Sequence, residues 1–170
     1  MSESKRVVFD LDDTLIKTDL FSNVTTLRPG TEDLLKQLRG MGLDLILWTT
    51  AGQGWIDRVF SQFPDILENF SQVITAEDAD MLLGPLKDQA DKFGQDDPRN
   101  WCLKSLGKYH GNGGKYPPAV KARYLVDNAD AAAYTARVME TFEHISPNSL
   151  ESDKSPDEWA KRVARALLGK

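Results

Sequence analysis

Short apolar runs alternate along the chain with longer stretches in which apolar residues recur every three or four positions. Residues 5–11 hold the uninterrupted run Val7-Val8-Phe9, suited to a strand covered on both faces, and the run ends among carboxylates at Asp10 and Asp12. Leu34, Leu35, Leu38 and Met41 then return at helical spacing, behind an Arg28-Pro29-Gly30 break that offers Thr31 as N-cap, with Gly40 and Gly42 as stop signals. Residues 43–48 predict a second buried strand, and Ile56, Val59, Phe60 and Phe63 a second helix ended by Pro64. Val73-Ile74-Thr75 is a short strand, residues 101–109 a helix, Tyr124-Leu125-Val126 a strand ending in Asp127, residues 129–140 a helix and 142–145 the last strand. Ser155-Pro156-Asp157-Glu158 combines an N-cap, a proline at the first helical position and a capping acid, so a closing helix should run to Leu168.

Strands alternating with helices predict an α/β fold, a three-layer Rossmann-like open, mostly parallel sheet with helices on both faces and right-handed crossovers. The 170 residues suit a single domain spanning 1–170 with no large cap domain. Within it, the polar, Thr-rich segment inside 13–28 is expected to form a loop or small hairpin over the mouth of a site. Residues 76–121 are expected to form a variable region, and the Gly, Pro and Lys-rich stretch 110–121 in it reads as a mobile loop.

Composition narrows the partners. A net charge of −5 argues against non-specific attraction to nucleic acid or to an anionic membrane. Cys102 is the one cysteine, so no intrachain disulfide is possible, and no apolar stretch approaches the roughly 20 residues of a membrane helix. The opening residues carry no apolar signal core, so the expectation is a cytoplasmic protein, in which the sequon Asn23-Val24-Thr25 is incidental.

Two acids two residues apart at the end of a buried strand repel each other and lose solvation, which makes sense where a cation or a reacting phosphoryl group sits between them. An EF-hand does not account for them, because its glycine position holds Leu15 and its bidentate acid position holds Phe21. Asp10-Leu11-Asp12-Asp13-Thr14 resembles the Asp-x-Asp-x-Thr motif of the haloacid dehalogenase superfamily of phosphatases and phosphotransferases. The resemblance implies that Asp10 attacks phosphorus and that Asp12 first protonates the leaving oxygen and then activates water, with Thr14 at the substrate. The second acid favours phosphoryl transfer over dehalogenation.

Further segments are similar to the superfamily's other motifs in the expected order. The run 45–52 ends in Thr49-Thr50-Ala51, where the Thr49 hydroxyl and the N–H groups of Thr50 and Ala51 are placed to hold phosphoryl oxygens; the plain alternative is that Thr49 caps the following helix. Tyr124-Leu125-Val126-Asp127-Asn128 resembles the acidic motif that completes a Mg²⁺ site, which implies Asp10, the carbonyl of Asp12 and either Asp127 or Asn128 as ligands, with Asp130 behind them. The Asp-Asn form together with the RPG turn looks most like the small branch acting on the RNA polymerase C-terminal tail. Lys104 best matches the charge-neutralising lysine, with Lys87 and Lys108 as rivals. Gly111-Asn112-Gly113-Gly114-Lys115-Tyr116 is not a P-loop, since Tyr109 and Tyr116 stand where glycine and a hydroxyl residue are required. The cations of that loop either meet an anionic substrate or are solvated, and Trp48, Trp55 and Trp101 either line a pocket or fill the core.

The expectation is therefore a Mg²⁺-dependent phosphomonoester hydrolase acting on a phosphorylated protein or small molecule. The alternative is a non-catalytic interaction module of the same fold that binds a phosphorylated ligand or a protein partner.

Overall fold

The structure, a computed structural model, describes residues 5–107 and 114–169. Its main sheet has five parallel strands in the order β5-β4-β1-β6-β7. They are β1 (Arg6–Phe9), β4 (Asp44–Trp48), β5 (Gln72–Ile74), β6 (Tyr124–Val126) and β7 (Glu143–Ile145). The chain leaves β1 toward β4 and β5 on one side, then crosses back to β6 and β7 on the other. The order therefore reverses at β1, and the crevice outside its carboxyl end is the place where open α/β sheets bind ligands.

Side chains of successive strand residues point to opposite faces, and the core divides accordingly. Val7, Phe9, Leu45 and Leu47 pack with α1 (Thr31–Gly40), α2 (Gln53–Gln62) and α7 (Glu158–Leu168). Val8, Ile46, Trp48 and Leu125 pack with α4 (Ala76–Lys87), α5 (Pro98–Lys104) and α6 (Asp130–Met139) on the other face. The short α3 (Pro64–Leu67) adds Ile66 to the first of these layers. Three layers and a parallel sheet are what the alternating pattern predicted. Among the described residues no helix is long and apolar enough to cross a membrane.

Outside the sheet, β2 (Ile16–Thr18) and β3 (Thr25–Leu27) pair antiparallel as a hairpin whose turn leaves Leu20 and Phe21 fully in solvent. The end of the hairpin is pinned to α1: Thr31 Oγ1 donates to the Leu15 carbonyl at 3.1 Å and the Arg28 N–H to the same carbonyl at 2.9 Å. Gly30 rather than Thr31 is the residue before the helix. Its φ of 92° is open to glycine at little cost, and a Cβ there would lie 2.9 Å from Asp157 Cβ and 3.0 Å from Ala160 Cβ on α7.

The structure differs from the sequence reading mainly between residues 76 and 121. The acidic stretch contains α4, opened by a capping box in which the Thr75 N–H and Asp78 Oδ2 lie 3.1 Å apart, and Pro85 sits inside that helix. Helix α5 begins at Pro98, three residues before the expected start, because the Asp97 carboxylate caps it through the Arg99 N–H at 2.9 Å. Of the stretch 110–121 expected as a mobile loop, residues 110–113 lie outside the described residues, and the remainder is packed rather than open: Lys115, Tyr116 and Pro117 are buried, within or beside a 3₁₀ turn at Pro117–Val120.

Candidate active site

The Asp10 N–H donates to the Val126 carbonyl at 2.9 Å, carrying the β1–β6 ladder one step past the strand, and the chain then leaves the sheet. The Leu11 carbonyl accepts from the N–H groups of Thr14 at 3.2 Å and Leu15 at 2.9 Å, while Asp13 takes a left-handed φ of 62°. Fully buried Leu11 and Leu15 anchor this tight loop, and the guanidinium of Arg28 clamps it from behind. That side chain is buried, donates to the Thr14 carbonyl at 2.9 Å and stacks 3.9 Å over the Trp159 ring. The two acids of the strand end are thereby held on a loop with little freedom.

Lys115 closes the site from the opposite bank. Its Nζ, 3% exposed, lies 3.1 Å from Asp10 Oδ1 and donates to Asp127 Oδ2 at 2.8 Å. Asp127 follows β6, is 1% exposed and spends its other oxygen on the Ala129 N–H at 2.9 Å. Its carbonyl lies 2.7 Å from His144 Nε2 on β7, which fixes the turn that carries Asn128. Asn128 places one terminal atom 2.8 Å from Asp10 Oδ2 and 3.2 Å from the Asp12 carbonyl. As nitrogen that atom donates to both; as oxygen it accepts from Thr14 Oγ1 at 3.3 Å and joins them as a third acceptor.

Charge in this pocket is unbalanced. Burial pushes the Asp10 carboxyl up to about 6, Lys115 opposes the shift and Asp127 adds to it. Burial alone would lower the Lys115 ammonium, but Asp10 and Asp127 outweigh it and hold the amine above its ordinary value. Burial also raises Asp12, against the hydrogen bond it accepts from Trp55. One ammonium among three carboxylates is the electrostatic setting in which a further cation, or a proton, is favoured.

The N-terminal part of the chain, residues 5–86, matches the family of NLI interacting factor-like phosphatases. That match spans a little under half of the chain, and what it shows is a likeness to a phosphatase family over the residues that carry the Asp10–Thr14 motif. The matched part carries the Asp10 loop and the Thr49 turn, whereas Lys115, Asp127 and Asn128 lie beyond it and are joined to the site by the fold. Among solved structures the chain is similar to an uncharacterized protein from Listeria monocytogenes serotype 4b, with 16% identity, TM-score 0.56, and 96% and 97% of the two chains covered. A HAD-superfamily hydrolase from Ehrlichia chaffeensis shares the fold at 11% identity and TM-score 0.51, with 99% of each chain covered. A 3-deoxy-D-manno-octulosonate 8-phosphate phosphatase from Moraxella catarrhalis, in complex with magnesium and phosphate ions, aligns at 14% identity and TM-score 0.43, covering 98% of this chain and 87% of that one. No curated protein matches the chain.

Measured against that superfamily's motifs, the structure gathers some of the candidate residues and leaves others out. Asp10, Asp12, Asp127 and Asn128 meet at the crevice. Lys104 does not: it is half exposed on α5 and pairs with Asp91 at 3.2 Å. Lys87 lies in the last turn of α4, and Lys108 falls outside the described residues. The buried ammonium belongs to Lys115, which the sequence reading left among the loop cations. The signal was its apolar, rigid flank Tyr116-Pro117-Pro118, unusual for a solvated lysine.

Thr14 is fully buried and its hydroxyl donates to Asp10 Oδ2 at 3.2 Å, so it supports the carboxylate from beneath rather than facing a substrate. Thr49 is 1% exposed, and its Oγ1 accepts from the Ala51 N–H at 3.0 Å, which withdraws Ala51 from the role expected of it. The neighbouring Thr50 is exposed, and its N–H has no protein partner among the described residues. Asp130 is the exposed first residue of α6. Of the three tryptophans considered, Trp48 is core, Trp101 is half exposed and Trp55 reaches Asp12.

Proposed function

We propose that this phosphatase hydrolyses phosphomonoesters through an aspartyl-phosphate on Asp10. The observation that supports it most is the junction of Asp10, Lys115 and Asp127 in a buried pocket, with a second acid two residues along the same loop. Lys115 offsets repulsion between an incoming phosphate and the Asp10 carboxylate, and Asp127 holds that ammonium in place. An Asp10 oxygen forms a bond to phosphorus as the ester bond breaks, and Asp12 delivers its proton to the departing oxygen. Asp12, now a carboxylate, takes a proton from the water that attacks the phosphorus of phospho-Asp10, and phosphate and free Asp10 result. The Thr50 N–H, at the turn before α2, is a donor for phosphoryl oxygens.

The donor set fits Mg²⁺. Asp10 Oδ2, the Asp12 carbonyl and the nearer terminal atom of Asn128 have separations of 2.8 and 3.2 Å, against about 3 Å between adjacent ligands of an octahedral Mg²⁺ site. Among the described residues no three His, Cys, Asp or Glu side chains converge as a metal site, so a Mg²⁺ ion here would be held by a mixed set: the Asp10 carboxylate, the Asp12 carbonyl and the Asn128 amide oxygen. Asn128 would be the ligand of its pair, a reading supported by the partners that both oxygens of Asp127 already have in Lys115 and the Ala129 N–H. When bound, Mg²⁺ supplies charge neutralisation at the phosphoryl oxygens.

Among the described residues the β2–β3 hairpin is the segment that follows directly on the Asp10–Thr14 loop, and such a crevice suits a phosphorylated side chain of a protein, or a small phosphorylated molecule if the hairpin closes over it. A pure binding module needs no nucleophile paired with an acid, so the paired Asp10 and Asp12 favour catalysis. Asp10→Asn should abolish turnover of an aryl phosphate in the presence of Mg²⁺ while leaving the circular dichroism spectrum unchanged. Undiminished turnover by that variant removes the mechanism.

A further inference from the structure

Asp12 is held by a partner that the mechanism above does not use. The indole Nε1 of Trp55 donates to Asp12 Oδ1 at 3.1 Å and to Oδ2 at 3.2 Å, so the only polar group of the ring is aimed at the carboxylate. Trp55 sits in the first turn of α2, its own N–H bonded to the Gly52 carbonyl at 3.2 Å, immediately after the Thr49–Ala51 turn. Its ring packs half-buried against the core layer that contains α1, α2 and α7. Packing alone would be served by phenylalanine. The N–H is the part of the side chain that packing does not explain.

We propose that Trp55 is a positioning residue for the acid, and that it sets how well the enzyme handles esters whose leaving group needs a proton. The inference rests on the reading of Asp12 as general acid. In the first step the phosphorus–oxygen bond to Asp10 forms, the electron pair of the ester bond passes to the leaving oxygen, and that oxygen takes the Asp12 proton. Asp12 becomes a carboxylate as this happens, and an N–H bond to a carboxylate is stronger than one to a neutral acid. The Trp55 contact therefore strengthens along the step. One oxygen stays on the indole while the other turns to the leaving group. An alkoxide cannot depart without that proton, whereas a dinitrophenolate can, so the benefit falls on alkyl esters. The same α2 turn then carries both the phosphoryl-facing Thr50 N–H and the anchor of the acid, which ties their spacing to one rigid element.

The test compares kcat/KM of wild type and Trp55→Phe on a simple alkyl phosphate and on 2,4-dinitrophenyl phosphate. This parameter stops at formation of phospho-Asp10, so the later hydrolysis does not enter. The alkyl ester should lose at least about tenfold more than the activated ester, the scale of general acid catalysis. Equal losses on both esters would make Trp55 a packing residue and overturn the inference alone. Wild type that turned over neither ester would overturn it together with the phosphatase mechanism. Independently of activity, the Trp55 indole proton resonance, identified by its absence in Trp55→Phe, should move upfield in Asp12→Ala. A resonance that stayed in place would also overturn the inference.

Discussion

Lys115 and Lys104 separate two ways in which a lysine can sit among acids. Lys115 is buried between Asp10 and Asp127, while Lys104 pairs with Asp91 in solvent. Removing the first leaves two carboxylates buried without a cation, and removing the second exchanges one solvated pair for water. Lys115→Met should therefore cost about 3–5 kcal/mol near neutral pH by urea denaturation, and Lys104→Met within about 0.5 kcal/mol. The Lys115→Met deficit should also depend on pH. Asp10, ordinarily at 3.8, is held up to about 6, so the folded chain keeps its proton to higher pH than the unfolded one. Its stabilising contribution is fully present below 3.8 and is lost as pH rises through about 6, where the ionised group must share the pocket with Asp127. The variant's deficit should accordingly shrink toward pH 4, and a deficit equal at both ends of that range would show that lost packing, rather than charge, is responsible.

At the scale of elements, legibility followed the continuity of the pattern. Strands β1 and β4 were readable because Val7-Val8-Phe9 and Leu45-Ile46-Leu47-Trp48 are unbroken apolar runs that stop at chemistry-bearing residues. Helix α4 was not, because Glu77, Asp78 and Asp80 crowd its first turns and Pro85 falsely signals a stop, although Thr75 and Asp78 spell its capping box. The Thr49 turn was found, but which of its N–H groups faces outward depends on the Thr49 side-chain bond to Ala51, which no spacing rule encodes. Lys115 was missed for a related reason: a lysine in a Gly and Pro-rich segment looks solvated until the strand it precedes is placed beside β1. The α1 start offers a direct check at this scale. Gly30→Ala requires a left-handed alanine and presses its Cβ onto Asp157 and Ala160, so it should destabilise by at least about 1–2 kcal/mol in thermal or urea unfolding. Wild-type stability in that variant would contradict the α1–α7 contact.

Across the whole molecule, strand order does what no local motif does. Placing β1 between β4 and β6 brings Asp10 and Asp12, the Thr49–Ala51 turn and the Asp127–Asn128 pair to one edge, although they are spread from residue 10 to residue 128 of the chain. Each carboxylate is then affordable only because the others' partners are there: Lys115 for Asp10 and Asp127, Trp55 for Asp12. The account's central claim is that phosphorus is transferred to Asp10, and borohydride trapping tests it most directly. Asp12→Asn, which slows hydrolysis of the intermediate, is incubated with an activated phosphate ester and Mg²⁺, reduced with borohydride and digested for mass spectrometry. Reduction of an acyl phosphate converts aspartate to homoserine. The account predicts homoserine at position 10, dependent on the ester; its absence there, or its appearance at position 127 instead, would contradict it.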